Sequence, residues 1–550
     1  MTVHPDLRAH AARFSPEIWK SGERVYTAFG YSISSVSMIV GDEGLILIDT
    51  GAQEHDAAAI WTEFQKISDK PIKAVIYTHF HNDHVNGVGA FVSPEQVESG
   101  EVKVYAHRDL MKFVAGIGGY LAPLMGRRAS YQFGAALPRD DTGFVHGGLG
   151  MPFNPGPRSF IAPTDTVAER TALTLCGVPL ELVPTPGESD DHLSIWLPGD
   201  KILLTGDTIQ GEALPNVYTL RGTPYRDPMA WVRTLDFVRD GFDADIIIPH
   251  HGHRLQGREE IEDVVTAYRD AIQFLHDQTL RGMNKGIKPA DIARDLELPP
   301  HLANHHWLGE FYGTIKHIVP SIAGGYVGWF YGDPLDLAPL PAKDRAERHL
   351  ALMGGAARVY GEAENADDLQ WAMELASYLV SADPSEKHKS LKADILRKWA
   401  YEQRNPTWRN WALMCAQELD PAKGEQPQHL MAPPGVVRAF PPALILRTMT
   451  VRLKAEDALN TQIKVGFHIP ELGKTHALEI RRGVCQFHEA AGTCDATLTV
   501  PRQFFIDLAL RKTTWPEAIA DGIIGLEGAL NGFFGYFEKP GRPVDITFML

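Results

Sequence analysis

Cysteine is scarce in this 550-residue chain: there are four, Cys176, Cys415, Cys485 and Cys494, scattered and without a CxxC pair. That argues against a disulfide-stapled scaffold and against a cysteine zinc site. No apolar run reaches the length of a membrane span, and the opening MTVHPDLRAHAARFSPEIWKSGERVY has no apolar core of signal-peptide type. The reading is a cytoplasmic protein with no membrane partner. An excess of basic charge is also missing. Lys and Arg number 53 against 69 Asp and Glu, a net of −16, which speaks against nucleic acid or an anionic membrane as main partner. An anionic small molecule is still admitted, because a metal site can reverse the local sign.

The chain is too long for one core, and its texture changes twice. From about 24 to 255, short apolar runs alternate with Gly-rich loops: Ser35–Val40, Leu45–Asp49, Ala74–Thr78, Leu193–Leu197, Ile202–Thr205 and Asp245–Pro249. These read as strands, several ending in polar clusters, where α/β folds place their chemistry. From about 257 to 420 the spacing is helical. Ile261, Val264, Val265, Tyr268, Ile272 and Leu275 share one helix face that Gly282 could end. Further helices are expected over 342–360, 366–381, 386–403 and 407–418, with Pro384 and Pro406 as breakers. The Pro-rich stretch from Pro421 to Pro442 reads as a linker. Beyond it, runs such as Ala496–Val500 and helices near 502–511 and 515–521 read as a small α+β domain.

The strongest chemical signal is THFHNDH, Thr78 to His84, which follows directly on AVIYT. It offers His79, His81, Asp83 and His84 as ligand-type side chains on one turn. Two imidazoles can serve one metal, and a carboxylate with an imidazole a second. Imidazole and carboxylate suit zinc, and open positions suit catalysis.

HxHxDH is the signature of the metallo-β-lactamase superfamily, and this segment resembles it in full. The resemblance implies an αββα sandwich whose other ligands come from later loops. IDTG (Ile48–Gly51) is similar to the family's strand-ending Asp motif, which makes Asp49 a carboxylate that orients the site. The next family position is normally a His after Pro-Gly. Here TPGESDDHLSIWLP (Thr185–Pro198) has Glu188 there, and His192, four residues later, fits worse. Glutamate as third ligand resembles the alkylsulfatase branch. TGDT (Thr205–Thr208) supplies Asp207, similar to the family's bridging carboxylate. That branch usually carries Glu at this point, so Glu212 stays open as an alternative. In IIPHHGH (Ile247–His253), His251 matches the last ligand best, with His250 and His253 as neighbours.

The resemblance extends further. PNVYTLRG (Pro215–Gly222), with YRDPMAW (Tyr225–Trp231), looks like the sulfate-holding segment of alkylsulfatases, and Asn216 and Arg221 match its contacts. An arginine fork suits an oxyanion because it offers two parallel donors. FLHDQT, LANHHWL, FYGTIKH and GWFYGDP resemble the family's helical domain, and the C-terminal part resembles a sterol-carrier-protein-like fold.

The implied architecture is α/β: a metallo-β-lactamase αββα sandwich at 1–256, an all-α dimerisation domain at 257–425 and an α+β domain at 435–550. The implied function is zinc-dependent hydrolysis of alkyl sulfate esters by a homodimer. Two Zn²⁺ per chain would be held by His79, His81, Asp83, His84, Glu188, Asp207 and His251. Asn216, Arg221 and His301 would bind substrate. Asp83 counts among the catalytic residues with His305, His317 and Tyr312, and His301, His305 or His317 would reach in as proton donor. The apolar stretch Gly116–Met125 and the Gly-rich run to Gly150 read as a long loop lining the alkyl pocket. S–O and C–O cleavage both remain open. One alternative is another hydrolase on this fold, acting on a thioester, lactone or phosphodiester; Glu188 and NVYTLRG speak against it. A lipid-binding protein centred on its C-terminal domain is the other, and the intact HxHxDH speaks against that.

Overall fold

The computed structural model describes residues 2–150, 156–420 and 434–539. Of the expected linker, Pro421 to Pro442, residues 421–433 lie outside the described residues; the rest is not a bare linker, since Pro434–Ala439 is a helix.

Seven strands form the first sheet in sequence order: β1 (Glu17–Ser21), β2 (Val25–Phe29), β3 (Val36–Val40), β4 (Leu45–Ile48), β5 (Ile72–Ile76), β6 (Lys103–His107) and β7 (Asp165–Val167). The first four strands pair antiparallel; β4 to β7 pair parallel. The second sheet contains β8 (Thr171–Leu175), β9 (Val178–Pro184), β10 (Leu193–Leu197), β11 (Ile202–Gln210), β12 (Ile246–His251) and β13 (Leu255–Gln256), in the order β13-β12-β11-β10-β9-β8. Within it β11 and β12 run parallel.

The two-residue period of a strand explains how the sheets stack. In β4, Ile46 and Ile48 point inward and meet Ile195, Leu197, Leu204 and Ile248 of the other sheet. Leu45 and Leu47 point outward, onto Ala57, Ile60 and Phe64 of the helix Glu54–Gln65. The second sheet repeats the pattern. Leu203 and Ile247 turn outward to Trp231, Leu235 and Val238 of the helix Pro228–Asp240 and to the helix Arg258–Asn284. Strands buried on both faces read as unbroken apolar runs, which is why LILI and IILL-type segments stand out in the sequence. The result is an αββα sandwich, as expected.

Several expectations needed correction in detail. The helix expected to end at Gly282 runs on to Asn284. Gly282 is a close-packing point instead: a Cβ there would lie 2.5 Å from Ile292 Cδ1. The helix expected over 342–360 is two, Ala342–Leu352 and Ala356–Asn365, because Gly354 and Gly355 both take positive φ. The long loop expected from Gly116 carries helices Leu110–Gly118 and Ala122–Gln132.

The C-terminal sheet has the order β16-β15-β14-β17-β18, from β14 (Gln462–Ile469), β15 (Lys474–Arg481), β16 (Val484–His488), β17 (Ala496–Thr499) and β18 (Gly525–Gly528). Helices Arg502–Ala509 and Trp515–Ala520 pack on it through Phe504, Phe505 and Trp515. The helix Pro434–Ala439 instead lays Val436 on the sandwich's core beside Phe160. No helix among the described residues is long and apolar enough to cross a membrane.

Ile48 is fully buried at the junction of both sheets. Ile48→Ala is expected to cost about 2–5 kcal/mol, read as a lower denaturant midpoint. An unchanged midpoint would remove this residue from the core's support.

Candidate metal centre

The chemistry-bearing side chains gather where strands end. Asp49 follows β4, the His79–His84 turn follows β5, Asp207 lies in the distorted last half of β11, and His250 and His251 close β12. Neighbouring parallel strands bring these ends together, as in open α/β sheets generally.

Two adjoining groups of donors result. His79, His81, Glu188 and Asp207 form one, and Asp83, His84 and His251 the other, with ligand-type atoms of each group within 4.8 Å of one another. In the first, His79 Nε2 lies 2.8 Å from His81 Nδ1 and 3.8 Å from both Glu188 Oε2 and Asp207 Oδ2. In the second, His251 Nε2 is 3.4 Å from Asp83 Oδ2, and His84 Nε2 is 3.5 Å from the same oxygen. Asp207 faces both groups: its Oδ1 is 3.4 Å from His84 Nε2, and its Oδ2 is 3.2 Å from His251 Nε2.

The donor set fits metal on an observation independent of any motif. His84 Nε2, His251 Nε2, Glu188 Oε2 and Asp207 Oδ1 are buried and have no hydrogen-bond partner. Buried polar atoms without partners cost on the order of 1–3 kcal/mol each, and here they converge. A cation satisfies them together.

The far nitrogen of each imidazole is fixed. Asp49 Oδ2 receives His84 Nδ1 at 2.7 Å and His250 Nδ1 at 2.5 Å, and also the Thr78 hydroxyl at 2.8 Å, while Oδ1 accepts the Thr78 N–H at 2.7 Å. Burial opposes the ionisation of Asp49, but His250 and His84 outweigh it and hold its carboxyl below the usual range. His79 Nδ1 faces the Thr78 hydroxyl at 3.1 Å, and His251 Nδ1 the carbonyl of Ile33 at 2.8 Å. Such contacts set the tautomer and ring direction of metal-facing histidines. Glu188 is aimed by Arg226, whose Nη2 lies 2.7 Å from Oε1 and so leaves Oε2 to the cluster. Arg226 was missed from the sequence, since nothing local in YRDP marks it.

The alternatives separate cleanly in space. Glu212 pairs with His253 at 2.6 Å and Arg13 at 3.0 Å, away from the donor set. His192 stacks on His79 and accepts the Asp207 N–H at 2.9 Å. His250 belongs to Asp49. A cavity of about 180 Å³ opens above the donors. Its polar wall holds His81, Asp83, Glu188, Asp207, Arg221, His251 and Tyr312, with Arg158 as a cation the sequence reading missed. Its apolar wall includes Met125, Ala129, Phe133 and Leu149 from the segment expected to line an alkyl pocket, and Val436 from the helix Pro434–Ala439, inside the stretch expected to be a linker.

Four expected residues do not line this cavity. Asn216 is buried beside it, its N–H on Gln210 and its carbonyl taking Arg226 Nη1 at 2.5 Å. His301 is exposed at the start of the short helix Pro300–Ala303. His305 faces Asp263 at 3.1 Å on the surface. His317 folds back on its own helix start: the Thr314 N–H lies 3.1 Å from Nε2, and Trp408 Nε1 lies 3.3 Å from Nδ1. Burial pushes the His317 pKa down to about 3, so it carries no extra proton near neutrality. The expectation of an imidazole reaching in from the helical domain is therefore corrected; the group that reaches in is the Tyr312 phenol. Helical spacing shows which residues share a face, not which face meets another domain.

Fold and donor set define a metal-dependent hydrolase of the metallo-β-lactamase type. The sequence matches the profile of the metallo-beta-lactamase superfamily over residues 30–253, of alkyl sulfatase dimerisation over 288–421, and of the alkyl sulfatase C-terminal domain over 431–546. It is 39% identical over 527 residues to a linear primary-alkylsulfatase of Pseudomonas sp. (strain ATCC 19151), covering 93% of this chain and 100% of that one. An (R)-specific secondary-alkylsulfatase of Pseudomonas sp. is 29% identical, with 98% and 83% covered. The solved structure of the stereoselective inverting sec-alkylsulfatase Pisa1 from Pseudomonas sp. superimposes with a TM-score of 0.89 at 28% identity, covering 98% of this chain and 88% of that one. The chain belongs to the alkylsulfatase family, hydrolases of sulfate esters built on the metallo-β-lactamase fold.

Asp49→Ala removes the anchor of two imidazoles. The expected result is metal binding weaker by about 10- to 100-fold, measured by competition with a chromophoric chelator. Unchanged affinity would take Asp49 out of that role.

Proposed function

We propose that this protein hydrolyses linear alkyl sulfates to alcohol and inorganic sulfate, using two Zn²⁺ per chain. His79, His81 and Glu188 would hold one ion, Asp83, His84 and His251 the other, and Asp207 would bridge them. The observation that carries the reading is the cavity itself: its floor is the donor set, one wall holds Arg221 and Tyr312, and the other is apolar. When bound, such an ion pair brings the pKa of water toward neutrality and supplies positive charge beside the ester. Tetrahedral imidazole and carboxylate sites favour zinc. It also answers the chain's net charge of −16, since two such ions outweigh the three carboxylates around them.

The protein's own groups do the rest. Arg221 Nη2 lies 3.0 Å from His81 Nε2. Arg221 Nη1 donates to the Gly222 carbonyl at 3.3 Å, and each of these nitrogens carries a second N–H. Arg221 lines the cavity, and its remaining guanidinium N–H groups would hold sulfate oxygens there. Gln132 holds this arginine's turn, its Oε1 accepting both the Arg221 N–H at 2.7 Å and the Thr219 hydroxyl at 2.8 Å. Burial first, then the nearby Glu188 charge, raises the Tyr312 pKa and keeps the phenol protonated. It would give its proton to the ester oxygen as water adds to sulfur and the S–O bond to the alcohol breaks, and would be reprotonated by the proton that the water gives up. Asn216 supports this wall from behind through Arg226, and the apolar side takes the alkyl chain.

The test is release of sulfate from dodecyl sulfate by the zinc-loaded enzyme in ¹⁸O-labelled water. Label is expected in sulfate; label in the alcohol would remove the proton-donor role of Tyr312 and leave the hydrolysis standing. Arg221→Ala is expected to lower kcat/KM by roughly 10- to 100-fold, the worth of a charged hydrogen bond. Activity that survives complete metal removal would overturn the reading.

A homodimer is part of the same proposal. Tyr326, Val327, Trp329, Leu335 and Leu337 are large apolar residues more than half exposed along one short stretch of the helical domain. A patch of that kind marks a protein contact. Trp329→Asp with Leu335→Asp is expected to give monomers by light scattering. A dimer that persists would place the interface elsewhere.

A further inference from the structure

One buried imidazole beside the donor set is not used by it. His192 stands just before β10, fully buried between the ring of His79 and the backbone of Asp207. Both of its ring nitrogens are paired within the protein. Nε2 accepts the Asp207 N–H at 2.9 Å, so the ring proton sits on Nδ1. Nδ1 faces the Thr185 hydroxyl at 3.2 Å, and that hydroxyl lies 2.8 Å from Ser194 Oγ. His84 and His251 differ, since their Nε2 atoms are buried without a partner and are left for a cation. His192 has no nitrogen left to give a metal; what it holds is backbone.

The sheet's register explains why Asp207 needs this partner. β10 and β11 pair regularly only as far as Ile195 and Leu204. Continuing that register would set His192 opposite Asp207, but β11 slips against β12 on both sides of Gly206, which takes a positive φ of 50°. Among the described residues Asp207 therefore has no register partner in either neighbouring strand. The His192 carbonyl is turned the other way, to the Thr185 N–H at 2.9 Å. A buried N–H without an acceptor costs on the order of 1–3 kcal/mol, and the imidazole of His192 supplies that acceptor. Glycine at 206 makes room for it: a Cβ there would lie 2.6 Å from His192 Nε2. The same ring stacks on His79, with centroids 4.9 Å apart and planes inclined by 29°. One neutral side chain thus touches a member of the first donor group and the residue whose carboxylate faces both groups.

We propose that His192 is a positioning residue of the metal centre: by taking the Asp207 N–H and bracing the His79 ring, it fixes the carboxylate that faces both donor groups. This role rests on the reading that the donor set holds metal, and its test does not depend on turnover. Contacts of this kind behind a ligand are worth about 10- to 100-fold in metal affinity.

The experiment measures Zn²⁺ affinity of the full-length protein by competition with a chromophoric chelator. It also records the visible spectrum of the Co²⁺-substituted protein, whose bands follow coordination number and geometry. His192→Ala is expected to bind metal about 10- to 100-fold more weakly and to shift the Co²⁺ bands. His192→Gln carries an amide oxygen at the reach of Nε2 and should recover most of the affinity and the wild-type bands. His192→Asn carries the same amide one methylene shorter, within reach of Thr185 but not of the Asp207 N–H, and should not recover them. Unchanged affinity and bands in His192→Ala, or His192→Gln and His192→Asn behaving alike, would overturn the role. Should His192→Ala fail to fold, the comparison of His192→Gln with His192→Asn decides. A wild-type protein that takes up no metal would overturn the metal reading itself, and this role with it.

Discussion

Everything at the metal centre hangs on how one buried carboxylate is satisfied. Asp49 takes a positive φ of 57° at the end of β4 and there collects four donors: the backbone and hydroxyl of Thr78, and the rings of His84 and His250. Left-handed backbone is unfavourable for a non-glycine residue, so this geometry persists because the surroundings over-determine it. The reward is that three separate chain segments are tied to one point. Thr78 begins the ligand turn, His84 ends it, and His250 stands beside His251. A carboxylate of this reach converts three strand ends into a fixed frame, and the frame leaves the opposite nitrogens of the imidazoles aimed at one volume.

Charge explains why the frame is worth its cost. The donor set is rich in carboxylate, and the chain as a whole is acidic. Unfilled, its convergent nitrogens and oxygens are buried atoms without partners; filled, they surround positive charge in a protein that otherwise repels anions. Arg221 and Arg226 extend that reversal in different directions. Arg226 spends its guanidinium on Glu188 and the Asn216 carbonyl. Arg221 faces the cavity. The division of labour between two arginines five residues apart follows from which side of the turn each one leaves.

The helical domain contributes to the site through backbone placement more than through its histidines. Helix packing buries His317 against Trp408 and leaves His301 and His305 at the surface, while the loop before the helix Ile315–Val327 delivers Tyr312 to the cavity wall. The C-terminal part contributes in the same way: the helix Pro434–Ala439 returns to the catalytic domain and adds Val436 to the apolar wall.

Read alone, the chain already disclosed its donors and its layers. THFHNDH after an apolar run, IDTG, the Glu188 departure and TGDT are local patterns, because a strand followed by a ligand turn is encoded in adjacent residues. The two-sided burial of β4, β11 and β12 was legible for the same reason, as unbroken runs of Leu and Ile. What adjacency does not encode is which distant atoms meet. Arg226 on Glu188, Glu212 drawn off to His253, Gly282 as a packing point instead of a helix stop, and Tyr312 rather than three histidines on the cavity wall were all decided in three dimensions. Each depends on the angle and depth at which helices dock on the sandwich, and those are set by side-chain packing between segments far apart in the chain.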